Sequence, residues 1–172
     1  MRRLLPILLL AVLALPVGAD AAPAKRLWAT VNVCDPPGAR SVIGIRGSMP
    51  RSAGRRRMYM HFAAQYYSAS RKRWIATGSS SRWIRVRRAG SRSGQAGYSF
   101  EFAEPPRGGG FLMRGVVSYR WTTPRAAKSG RGAKRRRWAV ARRARRVTTG
   151  GYRGVVGAIP AGRSDAMCLI RR

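Results

Sequence analysis

The sequence predicts an all-β protein, an antiparallel β-sandwich following a cleaved signal peptide, with a β-barrel as the alternative. In residues 111–121, FLMRGVVSYRW, every second residue is apolar or small and the others include Arg114 and Arg120. This period of two is typical of a strand with one buried face. Eight or nine such short segments are separated by turn signals, and no segment after the signal peptide has convincing helical spacing.

The first two predicted strands cover residues 27–33 and 41–46, joined by a DPPG turn. Proline fixes φ and glycine permits positive φ, so this tetrapeptide favours a turn. The third strand, 58–67, is the clearest partner for 111–121. It places Met60 and Phe62 on one face and His61 on the other.

The remaining predicted strands are short, and each is bounded by glycine, serine or basic residues. They cover residues 74–76, 83–86, 98–102, 138–147 and 166–170. Two basic pairs interrupt 138–147, which indicates an edge strand or a bulge, because charged edges discourage strand-on-strand aggregation.

Loops are predicted where glycine, proline, serine and arginine accumulate. They cover residues 47–57, 77–81, 90–97 and 104–110, with a flexible basic loop near 122–137. Residues 148–163 are glycine-rich and are predicted to be weakly ordered.

Residues 1–22 have the pattern of a secretory signal peptide. Arg2 and Arg3 precede an apolar run over 4–17, and Ala19 and Ala21 provide a small-x-small cleavage site. The alternative is a retained membrane anchor, although the run is short for a full span. Residues 23–172 then suit a single domain, with no stable membrane span in the mature chain.

Cys34 and Cys168 lie near opposite ends of the mature chain. In an exported protein such a pair is expected to form a disulfide, with two free buried thiols as the alternative. An aromatic-rich core and a bridge from the first strand to the last favour an immunoglobulin-like or fibronectin-III-like sandwich. The cysteine placement nevertheless differs from that of antibody domains.

Four segments carry a resemblance to a known group of proteins. They are GIRGSMP at 44–50, MxFxxQY at 60–66, FLxRGVV at 111–117 and GAxPxGxSxAxCxI at 157–170. These segments resemble uncharacterised secreted actinobacterial proteins of the immunoglobulin-like or fibronectin-III-like type. The resemblance covers most of the mature chain and implies an exported, disulfide-linked β-sandwich. It implies no activity.

The net charge of +31, with 36 Lys and Arg against 5 Asp and Glu, makes attraction to polyanions close to unavoidable at low salt. Arginine exceeds lysine, and the chain is rich in alanine and glycine. A GC-rich genome also produces that composition, so the charge alone does not establish a binding site.

Basic clusters interleaved with tryptophan form the candidate polyanion site, since arginine binds oxyanions and aromatic rings stack on bases or sugars. The candidate residues are Arg55, Arg56, Arg57, Arg71, Lys72, Arg73, Trp74, Trp83, Arg135, Arg136, Arg137 and Trp138. The alternative is a solvated arginine-rich surface around tryptophans that belong to the core.

The sequence argues against an enzyme and predicts no catalytic residues, cofactor or metal site. A serine–histidine–acid triad would need His61, the single histidine, beside a serine and one of few acids. Metal binding would need further ligands. Membrane disruption would need an amphipathic helix, and residues 138–147 have the charge for one without a clean helical stripe.

The sequence therefore predicts a secreted or cell-envelope-associated β-sandwich of structural or adhesive type. The alternative is a binder of anionic polymers, namely an acidic glycan, a wall polymer or extracellular nucleic acid.

Overall fold

The structure is a computed structural model that describes residues 27–39, 41–50, 56–86, 93–125 and 137–172. Within these ranges the chain forms nine strands: β1 (Trp28–Cys34), β2 (Val42–Pro50), β3 (Arg57–Ser68), β4 (Arg73–Ser80), β5 (Ile84–Val86), β6 (Ser93–Glu101), β7 (Gly110–Arg125), β8 (Arg137–Val147) and β9 (Cys168–Arg171). Each predicted strand corresponds to one of these, and the described part contains no helix.

Two antiparallel sheets pack together as a β-sandwich, which confirms the predicted fold class. The smaller sheet has the order β1-β2-β6. The larger sheet has the order β4-β3-β7-β8, with β5 paired to β3 and β9 paired to β7. The finer immunoglobulin-like or fibronectin-III-like assignment stays a prediction, and the predicted signal peptide lies outside the described residues.

The core lies between the sheets and follows the predicted alternation. In β3, Met58, Met60, Phe62 and Ala64 are buried. The paired strand β7 buries its own inward residues, because cross-strand partners share a face. Ile43 and Ile45 of β2 close the core from the smaller sheet.

The Cys34–Cys168 disulfide is present, with 5.4 Å between the two Cα atoms. It joins the end of β1 in the smaller sheet to the start of β9 in the larger one. The prediction that the bridge connects the first strand to the last is thereby confirmed.

Residues 148–165 lie along the edge of β1 and over the outer face of the smaller sheet, although the sequence predicts weak order there. Val31 pairs with Asp165 through two backbone hydrogen bonds of 2.8 and 3.0 Å. Asn32 Nδ2 donates to the Gly157 carbonyl at 2.6 Å, and the Trp28 and Tyr152 rings stack with centroids 4.8 Å apart. Both faces of β1 are consequently buried, where the alternation predicts one.

Several predicted loops are partly wrong, because strands extend into them. Residues 47–50 belong to β2 and 93–97 to β6, and the two segments pair with each other. Residues 77–80 belong to β4. The predicted flexible loop near 122–137 is also wrong at its ends, since β7 runs to Arg125 and β8 begins at Arg137. Residues 126–136 lie outside the described ranges.

The predicted edge character of β8 is confirmed. This strand is last in its sheet, and its pairing with β7 shifts register between Trp121 and Thr122. The shift is a bulge, which commonly occurs at sheet edges.

Burial of Tyr119 predicts that the stability of the folded protein decreases at alkaline pH. Its hydroxyl donates to the Trp28 carbonyl in the core, and burial raises the pKa of Tyr119 above the usual range. An unfolded tyrosine titrates near pH 10. The stabilising contribution is therefore complete below that pH and is lost as the pH rises above it, by about 1.4 kcal/mol per pH unit.

Urea unfolding between pH 8 and 11 would measure this slope. In Tyr119→Phe we expect the slope to decrease. The free energy of unfolding at neutral pH should also fall by about 1–3 kcal/mol, because the Trp28 carbonyl loses its donor. Tyr98→Phe, at a 42% exposed tyrosine, is the matched control and should keep the slope. An unchanged slope in Tyr119→Phe would contradict the assignment.

Candidate polyanion-binding face

The outer surface of the larger sheet collects arginine and aromatic side chains from several strands. In the β3–β7 pairing, Tyr59 lies opposite Arg120 and Gln65 opposite Arg114. In the β7–β8 pairing, Arg143 lies opposite Arg120. We call this surface the arginine–aromatic face. Its described members are Arg57, Tyr59, His61, Gln65, Tyr67, Trp74, Trp83, Arg85, Arg114, Ser118, Arg120, Trp138, Arg143 and Arg145.

Arg120 lies between two aromatic rings. Its Cζ is 4.2 Å from the centroid of the Trp83 ring and 5.0 Å from that of Tyr59. Its buried Nε has no hydrogen-bond partner among the described residues. Ring contacts of this kind contribute roughly 0.5–1 kcal/mol at exposed sites and more when desolvated. Aromatic rings therefore hold this guanidinium without using its N–H donors.

Arg114 is held by a ring and by a hydrogen bond. Its Cζ is 4.2 Å from the Trp74 ring centroid, and its Nε donates to Gln65 Oε1 at 2.9 Å. Trp74 in turn packs edge-on against Tyr67, with centroids 5.4 Å apart. Burial, together with the nearby charge of Arg145, lowers the pKa of Arg114.

A third stacked pair joins β3 and β8, the two strands that flank β7 in the larger sheet. The Cζ of Arg57 in β3 lies 3.8 Å from the ring centroid of Trp138 in β8. Arg57, Arg114 and Arg120 thus each lie over a tryptophan ring. These three arginines form an array on the outer surface of the larger sheet.

The described acids lie away from this array. Glu104 pairs with Arg172 at 3.1 Å and Asp165 with Arg163 at 2.8 Å. Asp35 accepts a hydrogen bond from the Ser41 backbone N–H at 2.6 Å, and Glu101 ends β6 in the other sheet. Arg120 and Arg143 are cross-strand partners of like charge, and like charges directly opposite each other are destabilising.

The structure brings only part of the predicted site together. Arg57, Trp74, Trp83 and Trp138 belong to the arginine–aromatic face. Arg71, Lys72 and Arg73 lie in the exposed β3–β4 turn and the first residue of β4, and exposed Arg56 precedes β3. Arg137 begins β8 opposite Arg125. Arg55, Arg135 and Arg136 lie outside the described ranges.

The alternative that these tryptophans belong to the core is wrong. Trp83 is 39% exposed, while Trp74 and Trp138 are half-buried beneath arginines. The core tryptophans are Trp28 and Trp121, at 6% and 3% exposure.

Arg114 and Arg120 are site residues that the basic clusters of the sequence do not predict, because each stands alone in the sequence. The signal was present in the alternation of residues 111–121, because it directs both arginines away from the core. Their partners Tyr59 and Gln65 lie on the corresponding outward positions of β3.

His61 lies within the same face. Its ring is 5.3 Å from that of Trp83, and Ser118 is its cross-strand partner. The four acids among the described residues are Asp35, Glu101, Glu104 and Asp165, and their contacts and positions are given above. Among the residues that the structure describes, no group of three or more His, Cys, Asp or Glu could hold a metal ion.

An apolar pocket of about 280 Å³ opens between the sheets, away from the stacked arginines. It is lined by Tyr66, Thr77, Phe102, Ala103, Phe111 and Met113. The Thr77 hydroxyl donates to the Ala64 carbonyl at 3.2 Å. The lining thus offers apolar contact and no pair of charged groups.

Comparisons of the chain with protein families, with curated proteins and with solved structures find no match. No helix in the described ranges is long and apolar enough to cross a membrane.

Proposed function

We propose that this protein is an exported module of structural or adhesive type at the cell envelope, which attaches to anionic polymers through the arginine–aromatic face. The observation that carries the proposal is the set of three arginines stacked on tryptophans on one sheet surface. Acidic glycans, wall polymers and extracellular nucleic acid all present the repeated anions that such a surface suits.

Two features of the chain support export. A disulfide persists in oxidising compartments and is rare where thiols are kept reduced. Residues 1–22 also have the charged, apolar and small-residue regions of a signal peptide.

Preorganised arginines support a dedicated site over generic attraction. A flexible side chain loses rotamer entropy when it binds a ligand. Arg114 and Arg120 have lost much of that freedom already, because rings and Gln65 hold them. Their N–H groups can donate charge-assisted hydrogen bonds to phosphate, sulfate or carboxylate.

The test compares Arg114→Gln/Arg120→Gln with Arg107→Gln/Arg153→Gln. The second pair lies on exposed loop residues away from the face and removes the same charge. At about 0.15 M salt, where exposed charges are largely screened beyond roughly 8 Å, we expect the first pair to lose at least about tenfold in affinity. This follows because hydrogen bonds to charged groups contribute roughly 1.5–3 kcal/mol each.

Affinity for single-stranded DNA and for an acidic glycan would be measured across a salt series. The control pair should lose less than about threefold, since an exposed charge contributes little. Equal losses in both pairs, or binding to both polymers that disappears by physiological salt, would mean generic electrostatics and would rule out a dedicated site.

A further inference from the structure

The tryptophan rings of the arginine–aromatic face already contact arginine side chains. Arg57, Arg114 and Arg120 lie over Trp138, Trp74 and Trp83 at 3.8, 4.2 and 4.2 Å. A base or sugar that stacks on an aromatic ring needs one of its flat faces. Here a guanidinium covers one face of each ring. The geometry therefore opposes the expectation that these rings stack on bases or sugars.

The second observation concerns the donors that remain. The buried Arg120 Nε has no hydrogen-bond partner among the described residues, and Arg114 uses its Nε for Gln65, so the donors left for a ligand are the terminal Nη groups. A guanidinium stacked on a ring still presents its N–H edges sideways. The face consequently offers a ligand a set of oriented guanidinium N–H donors.

The third observation is that further arginines of the face come from the neighbouring strand. Arg143 lies opposite Arg120 and Arg145 opposite Ser118 in the β7–β8 pairing. Arginines of β7 and β8 therefore line the same face, where successive anions of a linear polymer can be bound. A phosphodiester chain suits this face, because each phosphate has two non-bridging oxygens that can accept from arginines.

We propose that the polymer bound by this face is a linear phosphodiester chain, recognised through its phosphates and not through its bases or sugars. This inference rests on the proposed function and specifies its ligand. In it, Trp74, Trp83 and Trp138 are positioning residues, which act on the ligand by holding an arginine. A wall polymer of glycerol phosphate and the backbone of a nucleic acid share the required chemistry.

The test is a mutant cycle on Trp83 and Arg120 with two probes. The probes are a 30-nucleotide oligothymidylate and an abasic phosphodiester chain of the same length. We expect the two probes to bind with affinities within about twofold. Trp83→Leu should weaken both by the same factor, about fivefold, and Trp83→Leu/Arg120→Gln should lose no more than Arg120→Gln alone, since the ring acts through that arginine.

Trp83→Phe keeps an aromatic ring under Arg120 and should retain affinity within about threefold, which separates positioning from a general loss of structure. Unfolding midpoints measured for each variant identify any that fail to fold. The proposal would be overturned if the abasic chain bound at least tenfold more weakly, if Trp83→Leu affected the thymidylate alone, or if the two substitutions were additive.

Two further probes complete the design. Poly(glycerol phosphate) of matched charge should bind, and its affinity relative to the abasic chain identifies the wall polymer or the nucleic acid backbone as the better source. Polyglutamate of matched charge should bind at least tenfold more weakly, and equal binding would overturn the assignment to phosphate. If Arg114→Gln/Arg120→Gln instead behaves like its loop control with every probe, the proposed function itself fails.

Discussion

Loss of the Cys34–Cys168 bridge should lower the free energy of unfolding by roughly 5 kcal/mol. The two cysteines are 134 residues apart in sequence, and a cross-link that closes so long a loop removes much of the entropy of the unfolded chain. The bridge also joins the two sheets, and Cys168 is 1% exposed. Loss of this magnitude is comparable to the whole stability of many domains.

Urea unfolding of the oxidised protein, of the same protein with the disulfide reduced, and of Cys34→Ala/Cys168→Ala would measure the effect. The reduced protein is the sharper comparison, because it keeps both sulfur atoms and creates no cavity. We expect both altered forms to unfold at much lower urea concentration. A loss below about 1 kcal/mol in the reduced protein would show that packing, not the cross-link, holds the sheets together.

Strand positions were predictable from the sequence because alternation is a local property. The central pair β3 and β7 has one core face and one outer face, as the pattern of residues 58–67 and 111–121 requires. Strand ends were less predictable, since residues 47–50 and 93–97 have loop-like composition. They form strands because each pairs with the other along a shared register.

The arginine–aromatic face was only partly predictable, because it depends on register between strands. The stacking of Arg120 on Trp83 brings together residues 37 positions apart in sequence, and no local pattern specifies that contact. Basic clusters such as residues 71–73 instead lie in an exposed turn and at the start of the strand that follows it. A better sequence criterion would combine single arginines on the polar face of a strand with aromatic residues on its predicted partner.

The cover over the smaller sheet was not predictable from composition either. Residues 148–165 are rich in glycine, which usually indicates weak order. Here small residues allow close approach: a Cβ built on Gly157 would lie 2.6 Å from an Arg46 side-chain nitrogen. The same cover explains why the polar residues Thr30 and Asn32 are buried, since both find hydrogen-bond partners in it.

Gly115→Ala should lower the free energy of unfolding by about 3 kcal/mol. We expect it to be the most damaging addition of a single methyl group to the core. A Cβ at this position would lie 2.7 Å from Ile45 Cδ1, Ile45 Cγ2 and Thr148 Cγ2. Overpacking of this kind typically costs about 1–3 kcal/mol, and occasionally more, because neighbours must leave their rotamers or the backbone must shift. Here three close contacts, two with Ile45 and one with Thr148, would have to be relieved at the same time.

The backbone around Gly115 cannot move aside easily. Its N–H donates to Thr148 Oγ1 at 3.0 Å, and its carbonyl accepts from the Thr148 N–H at 2.9 Å. The Thr148 hydroxyl itself donates to the Ala166 carbonyl at 2.6 Å. A shift that relieves the clash would lengthen buried hydrogen bonds, each of which contributes roughly 0.5–1.5 kcal/mol.

A mutant cycle with Thr148→Ser tests this account of Gly115. Serine lacks the Cγ2 atom that clashes but keeps the hydroxyl that bonds Gly115 and Ala166. In urea unfolding, Gly115→Ala/Thr148→Ser should therefore be more stable than the sum of the single losses predicts, by at least about 0.5 kcal/mol. Ala76→Val, at an exposed position of β4, is the control and should change stability by no more than about 0.5 kcal/mol. Strictly additive losses would mean that the cost arises elsewhere than at the Thr148 contact, which would leave Ile45 as the side chain that resists the added methyl group.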